Sequence, residues 1–381
     1  MKYQVLAKEK TLRNILRECI KKERFTSIDI VESLKLSKPT VNESLDILFR
    51  NDFITKENFT EGMVGRKAQI WKTTLHKKKS LAIDIDFNLV KISIIDMAGN
   101  YYNYKEYKKT VNNNNFFNVI SFVVNDYRNK YKESNEIKRL GISIPGNISF
   151  DRKNILYATN LGLENINISN LENELNLEII LENEANSAVL GEFFLSKEAD
   201  KNNYMLISIS NFGVGGGQIV DGKLLKGAHR LAGEIGHFTI IMDGEPCSCG
   251  NRGCFERYAS YEGLKNIMKK EKLDFDDINK LFESYDKKSE KVIKEYCKFL
   301  GRGIRSLLSI YDSNKIILSG KMTDYWDRIY PYIQKEIFEN NNFYSKFNIL
   351  LLKSKFGDKA SLIGVGLINF FDFLYDSDFF N

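Results

Sequence analysis

The paired stretches LAGEIGHFTI (Leu231–Ile240) and CSCGNRGCFE (Cys247–Glu256) place three of the chain's five cysteines, Cys247, Cys249 and Cys254, within eight residues. Neighbouring thiolates repel, and crowding them is costly without a cation nearby. On its own the segment reads as a metal clamp, a redox switch, or a loop that merely carries cysteines. Cys19 and Cys297 lie outside the pattern and read as core residues.

At 381 residues with 43% hydrophobic content, the chain is long enough for roughly two or three domains. Only 4 prolines and no Ser/Gly-rich tract argue against long disordered linkers. No 18-residue uncharged apolar run occurs, and the start MKYQVLAKEKTLRNIL has no signal-peptide core. The expectation is a soluble cytoplasmic protein with no membrane partner. Thiols stay reduced there, which favours metal or catalysis over a disulfide.

Net charge is +6 over the chain, but residues 1–80 hold 18 Lys and Arg against 10 Asp and Glu. The rest is left slightly acidic, at 38 against 40. A small basic module on a near-neutral body points to a polyanionic partner for that module.

Within the module, Leu12, Ile15, Leu16, Cys19 and Ile20 form the apolar stripe of one helix. A second helix is expected after an N-cap at Ser27, with Ile28, Ile30, Val31 and Leu34 facing inward. A third begins SKPTV, with Ser37 as cap, Pro39 in the first turn, and Val41, Leu45, Ile47 and Leu48 inward. Two short helices in this register have the shape of a helix-turn-helix. FITKENF and KAQIWKTT then read as strands around TEGMVGRK, a wing with Arg66 and Lys67 at its tip for phosphate or minor-groove contact. Ser37, Lys38, Thr40 and Asn42 are the candidate DNA contacts of the recognition helix.

From residue 80 onward, strand pairs are followed by helices, twice over. SLAIDIDFNLVKISIIDMAGN gives two β-rich runs and a turn, and LEIILENEANSAVLGEFF runs from a strand into a helix. YMLISISNFGVGGGQIV gives a strand, a glycine-dense turn and a returning strand. The pattern is α/β, with two lobes and a cleft between them.

The body resembles the ROK family (repressors, open reading frames and kinases), whose mark G-E-x-G-H … C-x-C-G-x-x-G-C-x-E matches Gly233–His237 and Cys247–Glu256. The amino-terminal winged helix matches the family's repressor branch. The resemblance implies a two-lobed actin-like (ribonuclease H-like) sugar-kinase fold behind the winged helix-turn-helix. The expected domains are 1–79, the DNA-binding head, 80–195, the first lobe, and 196–381, the second lobe, with the last helix returning to the first.

His237, Cys247, Cys249 and Cys254 supply the Cys₃His set of a closed zinc site, and the resemblance implies a structural Zn²⁺ that fixes the loop carrying Glu256. It also implies that Asn183, Glu184, Glu234, His237 and Glu256 bind a sugar, a task that needs a fan of donors and acceptors for vicinal hydroxyls.

The phosphotransfer parts depart from the kinase pattern. The family's D-x-G-G-T loop appears as Asp84-Ile85-Asp86-Phe87-Asn88, and Phe212 fills the hydroxyl position of the second loop. Ser319-Gly320-Lys321 stands where a Gly-Gly is usual, and Glu184 replaces the catalytic Asp of N-D-A-N. A carboxylate displaced by about 1 Å can cost roughly 10²-fold in rate. The expectation is a non-enzymatic, sugar-responsive repressor that binds operator DNA as a homodimer or homotetramer, with a free or phosphorylated sugar as effector. A sugar kinase with an added DNA-binding head is the alternative, and a sensor with a non-DNA interaction module the third reading.

Overall fold

The computed structural model describes residues 2–59, 68–196, 203–210, 213–274, 277–339 and 343–375. The head comprises α1 (Lys2–Lys22), β1 (Arg24–Thr26), α2 (Ser27–Leu34), α3 (Lys38–Arg50), β2 (Ile54–Phe59) and β3 (Gln69–Thr73). Its strands form an antiparallel sheet in the order β1-β3-β2. Leu16, Ile30, Val41, Leu45, Leu48 and Trp71 close its core.

The cap of α2 is Thr26 rather than Ser27, because Thr26 and Asp29 satisfy each other's backbone N–H in a capping box. Ser37 caps α3 as expected, with Pro39 in the first turn. Ile28 and Ile47 do not face inward; they are 47% and 37% exposed. Ile47 sits about a third of a turn off the stripe made by Val41, Ser44, Leu45 and Leu48.

The first lobe runs β4 (Lys79–Asp86), β5 (Leu89–Asp96), β6 (Tyr101–Tyr107), α4 (Phe116–Lys130), β7 (Arg139–Ile144), β8 (Asn147–Ile148), β9 (Asn154–Ala158), β10 (Leu163–Asn167), α5 (Ser169–Leu175), β11 (Glu178–Asn183) and α6 (Glu184–Phe194). The second runs β12 (Tyr204–Ile209), β13 (Val214–Val220), β14 (Lys223–Leu224), α7 (Glu256–Ala259), α8 (Tyr261–Lys270), α9 (Ile278–Glu283), α10 (Lys287–Tyr311), β15 (Lys315–Ser319), α11 (Trp326–Gln334), β16 (Leu350–Lys353) and α12 (Ala360–Tyr375).

The two large sheets share one topology. Their orders are β11-β7-β4-β5-β6 and β14-β13-β12-β15-β16. In each, the first strand is central, its antiparallel neighbours lie on one side and two parallel strands on the other. The central strands are buried on both faces, hence their unbroken apolar runs.

Helices α6 and α12 cross between the lobes. α12 packs on β4, β5 and β7, whereas α6, which follows the first lobe in sequence, packs on β12 and β13 and along α12. The glycine-dense run in β13 is explained here: a Cβ on Gly217 would overlap the Ala185 carbonyl of α6. At the α6–α12 crossing a Cβ on Gly364 would overlap the Ser187 carbonyl oxygen.

The far end of α6 meets the head. The Arg17 guanidinium of α1 lies 4.3 Å from the Phe193 ring centroid. Arg13 Nη1 donates to Gly222 O at 3.4 Å. One contiguous apolar cluster runs from Leu12, Ile15 and Leu16 into α6 and α12. Among the described residues no helix is long and apolar enough to cross a membrane.

The α6–α12 crossing makes a direct prediction. Gly364→Ala forces backbone apart in a close-packed contact and should cost about 1–3 kcal/mol, seen as a lower denaturation midpoint. An unchanged midpoint would mean that the two helices do not meet at Gly364.

Candidate functional site

His237, Cys247, Cys249 and Cys254 converge, with their ligand atoms all within 4.8 Å of one another. The Cys247 turn is closed by Gly250 N–H donating to Cys247 O at 3.1 Å and Cys247 N–H to Asn251 O at 2.9 Å. Behind it Gly253 takes φ 70°, and a Cβ there would overlap the Ile241 carbonyl. These close approaches bring four residues from three short segments to one point.

The spacing suits a metal. Tetrahedral Zn–S bonds of about 2.3 Å set two sulfurs roughly 3.8 Å apart. Cys249 Sγ and Cys254 Sγ are 3.7 Å apart, and Cys247 Sγ is 3.6 Å from His237 Nδ1. Burial, and then the adjacent Glu256 carboxylate, push the Cys247 thiol up to about 12. Holding that sulfur as a thiolate therefore takes a cation. The residues fit a Cys₃His metal site.

On its other edge, His237 Nε2 lies 3.7 Å from Glu234 Oε2. The imidazole thus stands between the thiols and a cavity of about 160 Å³. All five residues expected to bind sugar, Asn183, Glu184, Glu234, His237 and Glu256, line that cavity.

The β11–α6 junction supplies the first pair. Asn183 caps α6 by accepting from Ala185 N–H and Asn186 N–H, at 2.9 and 3.2 Å. Its amide donates to Gly146 O and Glu184 Oε2, both at 3.1 Å. Burial, then the charges of Glu234, Asp84 and Asp86, push the Glu184 carboxyl up to about 8. Burial also raises Glu234, with Glu256 adding to it. Three carboxylates share one small space, where hydroxyl donors would relieve their repulsion.

A second cavity, of about 330 Å³, shares Glu184, Pro145 and Ser210 with the first and is lined by Asp84, Asp86, Lys91, Ser319, Gly320 and Lys321. Asp86 ends β4, and Asn88 turns the chain at φ 60°. Asp84 is already satisfied: Lys91 Nζ donates to Oδ2 at 3.0 Å and Ser361 Oγ to Oδ1 at 2.8 Å. Burial pulls Lys91 down, yet Asp84 outweighs it and holds the ammonium above its ordinary value. Sequence reasoning missed Lys91, although it faces Asp84 directly across the β4–β5 pair. It also missed Arg230, a buried lining residue of the smaller cavity. Phe212 lies outside the described residues.

On the head, Lys38 and Asn42 are exposed on α3. The Ser37 and Thr40 hydroxyls bond each other at 2.7 Å, and Ser37 Oγ also accepts from Thr40 N–H, so both serve the cap. Arg66 and Lys67 fall outside the described residues.

The model of the ROK family matches residues 80–369. The chain belongs to the ROK family. The xylose repressor of Bacillus subtilis (strain 168) is 26% identical over 373 residues, covering 96% of each chain. Among solved ROK structures, a transcriptional regulator homologous to the E. coli MLC protein superposes with a TM-score of 0.78 at 20% identity. That match covers 96% of this chain and 97% of the regulator. A ROK glucokinase from Streptomyces griseus, in complex with glucose and AMPPNP, gives a TM-score of 0.67 at 22% identity, covering 98% of the kinase but 76% of this chain. The actin-like fold of the family is thus common to regulator, kinase and this chain.

The Glu184 shift sets a pH dependence. A carboxyl that is protonated more readily in the folded state contributes stability at low pH, lost as pH rises from its unfolded value near 4.5 through about 8. Glu184→Gln should remove that decline, so the variant's melting temperature falls less between pH 5 and pH 9. Parallel curves for both proteins would contradict the assignment.

Proposed function

We propose that this chain is a sugar-responsive transcriptional repressor of carbohydrate-utilisation genes, acting on operator DNA as a homodimer or homotetramer in the cytoplasm. The observation that carries the reading is the pairing of two neighbouring cavities. One presents five sugar-suited side chains against a Cys₃His cluster. In the other, where kinase relatives handle phosphate, the chain's own Lys91 holds Asp84. End-to-end similarity to a named xylose repressor supports the same reading and makes D-xylose the first effector to test.

Bound zinc would be held by His237 and by Cys247, Cys249 and Cys254. It would supply structure, since four protein ligands leave no open position. His237 would then be oriented with one ring nitrogen toward the metal side and the other toward the ligand. Glu256, whose Oε1 lies 3.1 Å from Cys247 Sγ, is positioned by the same loop.

The kinase alternative is disfavoured by the same contacts. Phosphoryl transfer needs close positioning and electrostatic stabilisation of the moving group. Here Asp84, Asp86 and Glu184 together line the larger cavity, and Asp86 is itself pushed up by burial and by Asp84.

The path from sugar to DNA follows α6. Asn183 caps its start and Glu184 is its first residue, and its last turn lies under Arg17 of the head. A sugar that favours one lobe arrangement shifts the population of DNA-competent heads. Lys38 and Asn42 are then the leading operator contacts, with Arg66 and Lys67 of the wing reaching phosphate.

A thermal-shift screen of monosaccharides and their phosphates, paired with an ATP-coupled turnover assay, tests the reading. At 100-fold excess over its Kd a true ligand stabilises by about 2.7 kcal/mol. Free D-xylose should give the largest rise, with no turnover by any sugar; turnover would establish the kinase alternative. Elemental analysis should find one zinc per chain. Cys254→Ser should lose both the zinc and the sugar-induced shift, and retention of both would remove the metal from the account. Lys38→Ala should weaken operator binding and lower the salt slope by about 1.

A further inference from the structure

The segment 227–233 runs along the wall of the smaller cavity and is tied to both lobes. On the second-lobe side, Gly216 N–H donates to Gly233 O at 2.8 Å and the Tyr311 hydroxyl donates to Ala232 O at 3.1 Å. On the first-lobe side, Asn147 Nδ2 donates to His229 O at 3.1 Å. Arg230 donates to the Ser149 carbonyl and, through Nη2, to both oxygens of Glu182 at 2.9 Å each. Arg230 takes a left-handed φ of 56°, a conformation that non-glycine residues hold only when their surroundings fix it.

Glu182 is fully buried and meets a second guanidinium, Arg152, whose Nε lies 3.1 Å from Oε2. Burial pushes the Glu182 carboxyl up, but Arg152 and then Arg230 hold it below its ordinary value. One guanidinium would balance one carboxylate, so the buried triad keeps a surplus positive charge. The two arginines are not equivalent. Arg152 comes from the β8–β9 turn, in the same lobe as Glu182. Arg230 comes from the segment anchored on the other lobe, and it lines the cavity.

We propose that Arg230 is a positioning residue for the effector, a clasp that sets the two halves of the sugar site at their working separation. Glu182 directly precedes Asn183 and Glu184, and Glu234 follows Arg230 by four residues. A guanidinium that reaches the Ser149 carbonyl through Nη1 and both Glu182 oxygens through Nη2 therefore ties both flanks of the cavity, as a rigid planar fork with two separate donors does and a lysine does not. The inference rests on the sugar-sensor reading.

The test compares two variants of full-length protein, R230M and R152M, by calorimetric titration with the sugar that gives the largest shift in the screen. Each variant leaves Glu182 with one guanidinium, so each keeps the buried carboxylate balanced. R230M should weaken sugar binding by about tenfold or more, while R152M stays within roughly twofold of wild type. Should R230M fail to fold, R230K carries the test: it keeps the charge, loses the fork, and should weaken binding about threefold or more. Equal weakening by R152M and R230M, or unchanged affinity in R230M or R230K, would overturn the proposal. Failure of wild type to bind any sugar would instead bring down the sensor reading and this inference with it.

Discussion

The close crossing of α6 and α12 is the contact on which the rest of the molecule depends. It exists because Gly364 leaves room for the Ser187 carbonyl, and it locks together two helices that serve opposite sheets. α6 is buried along nearly its whole length. Its start forms a wall of both cavities, and its end supports the head through Phe193 and Arg17. Close-packed interiors transmit displacement because they have few voids to absorb it. An element so placed cannot shift at one end without consequence at the other.

The electrostatics of the cleft follow from crowding. Glu184, Glu234 and Glu256 face one small cavity, and Asp84 and Asp86 lie just beyond Glu184. Burial first, and then the neighbouring carboxylates, raise the proton affinity of Glu184, Glu234 and Asp86. The chain offsets this with fixed cations on either side: Lys91 on Asp84, and Arg152 with Arg230 on Glu182. In the Cys₃His cluster a bound Zn²⁺ would be offset by its three thiolates, so that site would contribute structure rather than positive charge. What remains between the fixed cations is an acceptor-rich space suited to hydroxyl donors.

Much of this was legible in the sequence. The Cys₃His set and the five cavity residues come together from their motif positions, and the strand pairs appear where β-rich runs flank turns. Lys91 left a signal that went unread: a two-residue turn at Phe87–Asn88 pairs residue 86 with 89, and hence 84 with 91. Ile28 and Ile47 misled because apolar residues within a helix are not all on its buried stripe. Arg230 left no local trace, since its partner Glu182 is 48 residues away. Nor could spacing reveal that α6 packs on the second sheet, a consequence of chain crossing. The glycine-dense turn expected after β12 lies largely within the returning strand β13, where Gly217 is the floor against which α6 lies.

Coupling between sugar and DNA is read from the affinity of the full-length protein for labelled duplex from its own upstream region, by fluorescence anisotropy, with and without the sugar that stabilises it. Binding should be tight and salt-sensitive, and the sugar should weaken it about tenfold or more, a coupling of roughly 1.4 kcal/mol. The same affinity in the presence and absence of the sugar would contradict it.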